Sequence, residues 1–290
     1  MRRFFVPPEF SRGDVFELPE REARHATQVL RLTIGDELTV LDGAGSVLNC
    51  VVESAGKRAV RVTVRERQHR APLPCPITLI QAVPKGPAFE TIVQKATELG
   101  AARIIPLLSE RAVVQITGKD SAAKVEKWKQ IAIESIKQCG SPWLPVIESP
   151  VRFEELIVGR TFLSAGAGDF PVASSEHRTG TPTFVASEES GEPAGWKACP
   201  TPDGLSLVCS LQPNARPLRE VLSNFSAAKN HRPQSAVVWI GPEGDFTPAE
   251  YEAIAKLGAA PITLGPLVLR SDTAAIAILS VLNHELQRAV

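Results

Sequence analysis

Two loops near the C-terminus hold the residues with the clearest chemical potential. The first, residues 240–246, contains Glu243, and the second, residues 264–274, contains Arg270 and Asp272. Each loop has a Gly-Pro pair, in which glycine lets a ligand approach the backbone closely and proline stiffens the chain. The pattern predicts a preorganised site for a small molecule, flanked by one guanidinium and two carboxylates.

The elements around these loops are strands and helices in alternation. Each loop follows a short apolar, β-rich run and leads into a helix start, which is typical of a mostly parallel α/β sheet. The sequence Thr247-Pro-Ala-Glu250 is a capping box and predicts a helix that ends at Gly258. The other predicted strands are 77–83, 103–108, 205–211, 236–240 and 261–264, and the other predicted helices are 88–99, 121–139, 217–228 and 273–288.

The last predicted helix is apolar nearly all round between residues 274 and 282. Such a helix is expected to be buried, and a second subunit is one way to cover it. Residues 159–204 differ in kind, since Ser, Thr, Gly, Pro and Ala dominate and no periodicity holds. This composition predicts a flexible insertion in the C-terminal domain.

The first 70 residues are rich in short strands separated by turns, which favours a small β-barrel with one helix at about residues 20–31. A proline-dense stretch at 71–76 predicts a linker, so we expect domains at 1–72 and 73–290. Within residues 60–65, valines alternate with Arg61 and Arg65. The basic face has two open interpretations, a solvated edge strand or an RNA-facing surface.

Composition narrows the function classes. The formal net charge is zero, which argues against non-specific coating of nucleic acid. The odd count of five cysteines, without a C-x-x-C pair, argues against a disulfide framework or a zinc site and favours a reducing, cytoplasmic compartment. No run is long enough to span a membrane, no metal-ligand spacing occurs, and the P-loop, dinucleotide-binding and nucleophile-elbow motifs are missing.

The order of several short motifs carries a family resemblance that covers nearly the whole chain except the insertion. These motifs are 2–6 (RRFFV), His25 with 29–31 (VLR), 84–86 (PKG), Glu90, 94–100 (QKATELG), 109–111 (SER), 138–140 (QCG), 240–244 (IGPEG), and 269–270 (LR) with 273–274 (TA). Taken together, they resemble the bacterial 16S ribosomal RNA uracil-N3 methyltransferases of the SPOUT superfamily.

The resemblance implies an N-terminal PUA-like β-barrel for RNA and a knotted, SPOUT-type methyltransferase domain that works as a homodimer on the small ribosomal subunit. It also implies S-adenosylmethionine as cofactor, with no metal. The implied cofactor-binding residues are Leu211, Ile240, Gly241, Pro242, Glu243, Gly244, Leu264, Gly265, Leu267, Val268 and Leu269. The implied RNA-binding residues are Arg2, Arg3, His25, Arg31, Lys85 and Arg111. Structural alternatives are a hydrogen-bonded role for His25 and an ion pair between Arg111 and Glu110 or Glu90.

Methylation at uridine N3 requires loss of the N3 proton, and a cation near the uracil oxygens would stabilise the anion. Arg270 is the candidate for that role, because a buried loop arginine needs an anionic partner or ligand. Asp272 or Glu243 is the candidate to take the proton or to orient Arg270. The structural alternatives are that Asp272 only caps the last helix and that Glu243 only braces its loop.

The sequence departs from the family pattern at four positions. Asp245 stands where the family usually has a second glycine, and Asp272 where it usually has glutamate. Ser141 and Leu267 stand where it usually has arginines. These changes leave open a non-catalytic RNA-binding or ribosome-assembly factor on the same fold, and a methyltransferase of another RNA.

Overall fold

The computed structural model describes residues 2–56, 59–112, 116, 118–157 and 203–287. The predicted insertion at 159–204 therefore lies outside the described residues, apart from its last two positions. Gly204 is the first residue of a strand, so the regular structure resumes slightly earlier than the sequence predicted.

The N-terminal part forms a five-stranded sheet in the order β1-β3-β4-β5-β2, in which β1 and β3 are parallel and the other pairs are antiparallel. The predicted alternation in β5 is confirmed, since Val60 and Val62 are buried while Arg61 and Arg65 are exposed. The elements are β1 (Arg3–Phe5), β2 (Val15–Glu17), α1 (Glu20–Arg24) with a following π-helical turn (His25–Val29), β3 (Glu37–Leu41), β4 (Ser46–Ala55) and β5 (Val60–His69).

The C-terminal part is an eight-stranded sheet whose neighbouring strands are all parallel, as predicted. The order is β11-β13-β10-β12-β6-β7-β8, and β9 also pairs with β7. Its strands are β6 (Ile77–Ala82), β7 (Ala101–Leu108), β8 (Val146–Ile147), β9 (Val151–Arg152), β10 (Gly204–Cys209), β11 (Arg216–Pro217), β12 (Ser235–Ile240) and β13 (Ala260–Thr263). The helices are α2 (Ala88–Glu98), α3 (Gly118–Cys139), α4 (Leu218–Lys229), α5 (Pro248–Lys256) and α6 (Ser271–Leu286).

The larger sheet is buried on both faces, which explains why its strands read as continuous apolar runs. On one face Leu79 and Val238 belong to the core that contains Phe89 of α2 and Ile278 of α6. On the other face Trp239 belongs to a separate core with residues around α5. Packing on both faces holds the central strands in place, so the loops at their carboxyl ends begin at fixed positions.

Helix α6 differs from the sequence expectation in two respects. It begins at Ser271, two residues earlier than predicted. Within this chain one face is buried, with Ile278 fully enclosed, whereas Val281 is 41% exposed. Most of the apolar residues of α6 therefore pack in the core of the chain, and a smaller number, including Val281, remain at the surface.

The two sheets meet along helix α3 and the segment after it. Arg3 Nη1 donates to the carbonyl oxygens of Lys137 at 3.1 Å and Gln138 at 2.8 Å, so it satisfies the open carbonyls at the end of α3. Lys137 Nζ in turn lies 2.9 Å from Glu22 Oε1, and both side chains are largely buried. A short antiparallel bridge joins Ala44 to Trp143. The orientation of the N-terminal sheet is therefore set by specific contacts as well as by the linker.

Candidate active site

A cavity of about 300 Å³ opens at the carboxyl ends of β10, β12 and β13. Ligands of open α/β sheets bind at this edge, because loops and helix starts converge there. The two Gly-Pro loops form most of the wall, as the sequence predicted. The predicted residues that line the cavity are Leu211, Ile240, Gly241, Pro242, Glu243, Leu264, Leu267, Val268, Leu269 and Arg270.

Two predicted cofactor residues and one catalytic candidate do not line this cavity: Gly244, Gly265 and Asp272. Gly244 and Gly265 belong to the same two loops. Asp272 lies one residue inside helix α6.

The first loop is held by three contacts from other segments. Glu243 Oε1 accepts a hydrogen bond from the Lys85 backbone N–H at 3.1 Å. Arg111 Nη1 donates to the Gly244 carbonyl oxygen at 2.9 Å. Ser271 Oγ donates to the Gly241 carbonyl oxygen at 2.9 Å. The loop is therefore preorganised, and Glu243 braces it in the way that its structural alternative predicted.

Behind these contacts lies a second set of hydrogen bonds. Gln81, fully buried, donates from Nε2 to Ser271 Oγ at 2.8 Å. Glu250 accepts from the Glu110 backbone N–H at 2.9 Å with Oε1, and from the Thr247 backbone N–H at 2.8 Å with Oε2. The predicted capping box is confirmed, and it also ties helix α5 to the segment that carries Arg111.

Two glycines shape the wall for different physical reasons. A Cβ atom added at Gly241 would lie 3.3 Å from Asp245 Oδ1 and from the Phe246 backbone nitrogen, so the backbone there is closely packed. Gly265 has a φ of 143°, which side chains disfavour, although no atom would crowd its Cβ. The exposed side chains of Leu211, Leu267 and Val268 add apolar surface beside these backbone groups. Apolar side chains beside glycine backbone fit an adenosine-containing cofactor such as S-adenosylmethionine.

Arg270 is exposed, and not buried as the sequence predicted. The side chain is 82% exposed, so its importance cannot rest on burial. Its Nε lies 3.5 Å from Asp272 Oδ1. Asp272 is not the cap of α6, because the N-cap position belongs to Arg270 itself. The guanidinium therefore stands at the mouth of the cavity, where a substrate can reach it.

The predicted RNA-binding residues fall into two groups. Lys85 and Arg111 contact the first Gly-Pro loop, and both are exposed. The ion-pair alternative for Arg111 is wrong: its guanidinium bonds to the Gly244 carbonyl, Glu90 pairs with Lys127, and no ion pair among the described residues joins Arg111 to Glu110.

The remaining candidates lie on the N-terminal domain. Arg2 pairs with Asp36 at 2.6 Å, and a Thr33 backbone hydrogen bond together with Arg2 lowers the pKa of Asp36 to about 2. Arg3 is engaged with the end of α3 as described above. His25 is exposed with its ring against Phe4, and Arg31 is exposed with a φ of 53°.

Several wall residues were missed by the sequence argument. Cys209, Ser210 and Asp245 line the cavity, and burial raises the pKa of the Cys209 thiol to about 12. Tyr251 donates from its hydroxyl to Asp245 Oδ1 at 2.8 Å, and burial, with a contribution from Asp245, raises the pKa of Tyr251. No motif marks these positions; only the departure at Asp245 was visible beforehand. Two further wall residues, Ser271 and Ala274, belong to the second loop that the sequence singled out.

Within the described part of the chain, no cluster of three or more His, Cys, Asp or Glu side chains is arranged to hold a metal ion. None of the described helices has the length and apolar character needed to cross a membrane.

Comparison with known families assigns the two parts separately. Residues 71–163 and 201–283 match the RNA methyltransferase domain family, and residues 18–65 match the RNA methyltransferase PUA domain family. The first match alone covers more than half of the chain.

Similar proteins extend over almost the full length. A ribosomal RNA small subunit methyltransferase E from Synechocystis is 30% identical, with 98% of this chain and 78% of that protein covered. The Bacillus subtilis protein of the same name is 26% identical, with 98% and 97% covered.

Solved structures agree with this fold. A methyltransferase structure from Legionella pneumophila with bound S-adenosylmethionine has a TM-score of 0.72 at 28% identity, covering 97% of this chain and 96% of that one. A ribosomal RNA small subunit methyltransferase E from Neisseria gonorrhoeae has a TM-score of 0.73 at 23% identity, covering 98% and 97%. With a PUA domain, an RNA methyltransferase domain and near full-length relatives, the chain belongs to the ribosomal RNA small subunit methyltransferase E family.

Proposed function

We propose that this protein transfers a methyl group from S-adenosylmethionine to N3 of a uridine in 16S ribosomal RNA. The observation that carries the proposal is the cavity between the two Gly-Pro loops, which combines a glycine-lined backbone wall with an exposed arginine at its mouth. Relatives named ribosomal RNA small subunit methyltransferase E support the RNA, and the Legionella complex supports the cofactor.

S-adenosylmethionine, when bound, supplies an electrophilic methyl group on a sulfonium. The residues that would hold it are Gly241 and Pro242 in the first loop, Leu267 to Leu269 in the second, and Leu211 after β10. The three contacts that hold the first loop keep its backbone groups in place before binding, so little ordering is left to oppose association.

The RNA side of the reaction falls to the groups at the cavity mouth. As the carbon–nitrogen bond forms at N3, the carbon–sulfur bond breaks and the N3 proton leaves. Arg270 can donate to a uracil oxygen and stabilise the negative charge that develops there. Asp272, 3.5 Å from Arg270 Nε, can orient the guanidinium or receive the proton. Glu243 already accepts from Lys85, which favours bracing over proton transfer.

The test is methyl transfer from labelled cofactor to small ribosomal subunits that lack the modification, followed by mapping of N3-methyluridine. We expect one labelled uridine in 16S RNA, labelled far more slowly by Arg270→Ala at the same protein concentration. Transfer RNA and naked 16S RNA serve as alternative substrates. Label on transfer RNA alone would favour another RNA target, and binding without transfer would favour the non-catalytic assembly factor.

Family membership supports three further parts of the proposal. They are a knotted path through the C-terminal sheet, closure of the N-terminal sheet into a PUA-like barrel, and a homodimer that acts in the cytoplasm, where ribosomes are assembled. The exposed apolar side chains of Leu211, Leu267, Val268 and Val281 are candidates for coverage by a second subunit.

A further inference from the structure

Asp245 is an unusual residue in the wall of the cavity. It occupies a left-handed backbone conformation with a φ of 60°, which glycine adopts without strain and few other residues tolerate. Aspartate is among the residues that do tolerate it. Glycine would suit this backbone conformation, so aspartate adds a carboxylate that the backbone does not require.

The carboxylate is held in a single orientation. Its Oδ1 accepts hydrogen bonds from the Tyr251 hydroxyl at 2.8 Å and from the Phe246 backbone N–H at 2.9 Å. The same oxygen packs against Gly241, since a Cβ atom built there would lie 3.3 Å away. Both donors bond to Oδ1. No described residue donates a hydrogen bond to Oδ2, which is therefore available to a ligand.

The charge of Asp245 is not neutralised within the described part of the chain. No described lysine, arginine or histidine side chain forms an ion pair with it, and Arg270 is directed to Asp272 instead. Glu243, the other carboxylate in the wall, bonds to the Lys85 backbone. The cavity thus contains a fixed, half-buried negative charge without a protein partner, and such a charge attracts a cation.

We propose that Asp245 contacts the cofactor and selects its cationic, methyl-bearing form over the demethylated product. The proposal rests on the proposed function, because it concerns the same cavity. S-adenosylmethionine carries a positive sulfonium, and S-adenosylhomocysteine has a neutral thioether in its place. A fixed carboxylate near that sulfur strengthens binding of the substrate and not of the product, so it favours release of the product after each transfer.

The direct measurement is calorimetric affinity for both ligands in the full-length wild type and in Asp245→Asn. Asparagine keeps the size, the Oδ1 acceptor and the tolerance for a left-handed backbone, and it removes only the charge. We expect S-adenosylmethionine to bind about tenfold more weakly to the variant, while S-adenosylhomocysteine changes less than about twofold. Sinefungin, which carries a protonated amine at the equivalent position, should follow S-adenosylmethionine.

Two further variants separate charge from structure. Glu252→Gln removes a carboxylate of α5 that is paired with Lys256 and does not line the cavity, and it should leave both affinities unchanged. Tyr251→Phe removes one donor to Asp245 but keeps the charge, so the preference for the cation should persist. If Tyr251→Phe removed that preference as fully as Asp245→Asn does, the role of Asp245 would be structural.

The outcomes are distinguishable from failure of the proposed function. A wild type that binds neither ligand would overturn the methyltransferase proposal itself. A wild type that binds both, with Asp245→Asn weakening both equally or neither, would overturn only the charge selection. Should Asp245→Asn lower the melting temperature, Asp245→Gly provides the second neutral variant, and the ratio of the two affinities is the decisive quantity in each.

Discussion

At the scale of single residues, exposure decides what Arg270 can do. Its guanidinium is 82% exposed and approaches only Asp272 through Nε, so the fold does not depend on it. An exposed ion pair of this kind contributes little to stability. The side chain is therefore available to RNA. Its removal should lower the rate of the reaction and leave the stability of the fold nearly unchanged.

We expect Arg270→Ala to slow the methyl-transfer step by on the order of a hundredfold or more, with little change in cofactor affinity or melting temperature. Arg270→Lys should restore activity in part, because a point charge does not reproduce a planar fork. Single-turnover kinetics at saturating RNA and cofactor would check this, with Lys256→Ala as the control on an exposed cation outside the cavity. Parallel losses in rate, cofactor affinity and stability would instead indicate a structural role.

Gly265 allows a second test at this scale, because Gly258 is a matched control. Both have positive φ values, 143° and 82°, and neither has an atom within 4 Å of an added Cβ. Gly265→Val and Gly258→Val should each cost about 1–3 kcal/mol of stability through backbone strain. Only Gly265→Val should weaken S-adenosylmethionine binding, as measured by calorimetry. Equal affinities in the two variants would remove Gly265 from the cofactor site.

At the scale of elements, the N-terminus of helix α5 joins two loops. Glu250 completes the capping box with Thr247 and also accepts from the Glu110 backbone N–H. Its side chain is 4% exposed, and its bond to Glu110 couples the helix start to the segment that carries Arg111.

Glu250→Ala should therefore destabilise the protein by about 2–3 kcal/mol, because two backbone N–H groups, one buried and one partly buried, lose their acceptor. Thr247→Ala removes only the cap acceptor and should cost about 1 kcal/mol. Denaturant unfolding of both variants would measure the difference. A smaller loss for Glu250→Ala than for Thr247→Ala would contradict the coupling of the cap to the Glu110 segment.

At the scale of the whole molecule, one buried ion pair links the two domains. Lys137 of α3 pairs with Glu22 of α1, and their side chains are 10% and 7% exposed. Lys137→Ala would leave Glu22 buried without its partner, which costs about 3–5 kcal/mol. Arg24→Ala breaks a neighbouring pair with Glu20 whose side chains are both more than half exposed, and should cost less than about 1 kcal/mol. Thermal melts of the two variants measure this difference in stability. Equal shifts in melting temperature would show that the interdomain pair contributes no more than the exposed one.

The proposed homodimer needs a surface position for its test. Ile278 is fully buried within the chain, so Ile278→Glu would unfold the protein rather than separate subunits. Val281 is 41% exposed on the same helix. We expect Val281→Glu to give a folded monomer, measured by light scattering after size exclusion. A folded dimer from this variant would place the subunit contact elsewhere.

The alternating elements and the two loops of the site could be predicted from residue types and spacing. Periodicity and capping are local properties: the capping box begins α5 at the expected residue, and Gly100, with a φ of 78°, follows α2 as predicted. The binding loops were also visible, because Gly-Pro pairs after buried strands are chemically distinctive. Motif order identified the family for the same reason, since it depends on residue types and spacing.

The exposure of each residue and its contacts depend on how the whole chain packs, and they could not be predicted from the sequence. From the sequence, Arg270 was expected to be buried, and an ion pair was the structural alternative to RNA binding for Arg111; Arg270 is instead exposed, and Arg111 bonds to the Gly244 carbonyl. Arg3 meets the end of α3 more than 130 positions away, and Asp245 is held by a tyrosine on the next helix. Such contacts depend on how strands order themselves and how helices pack across the sheet. The spacing of residues along the chain does not encode strand order or helix packing. It therefore predicted the loops of the site but not the hydrogen bonds that hold them.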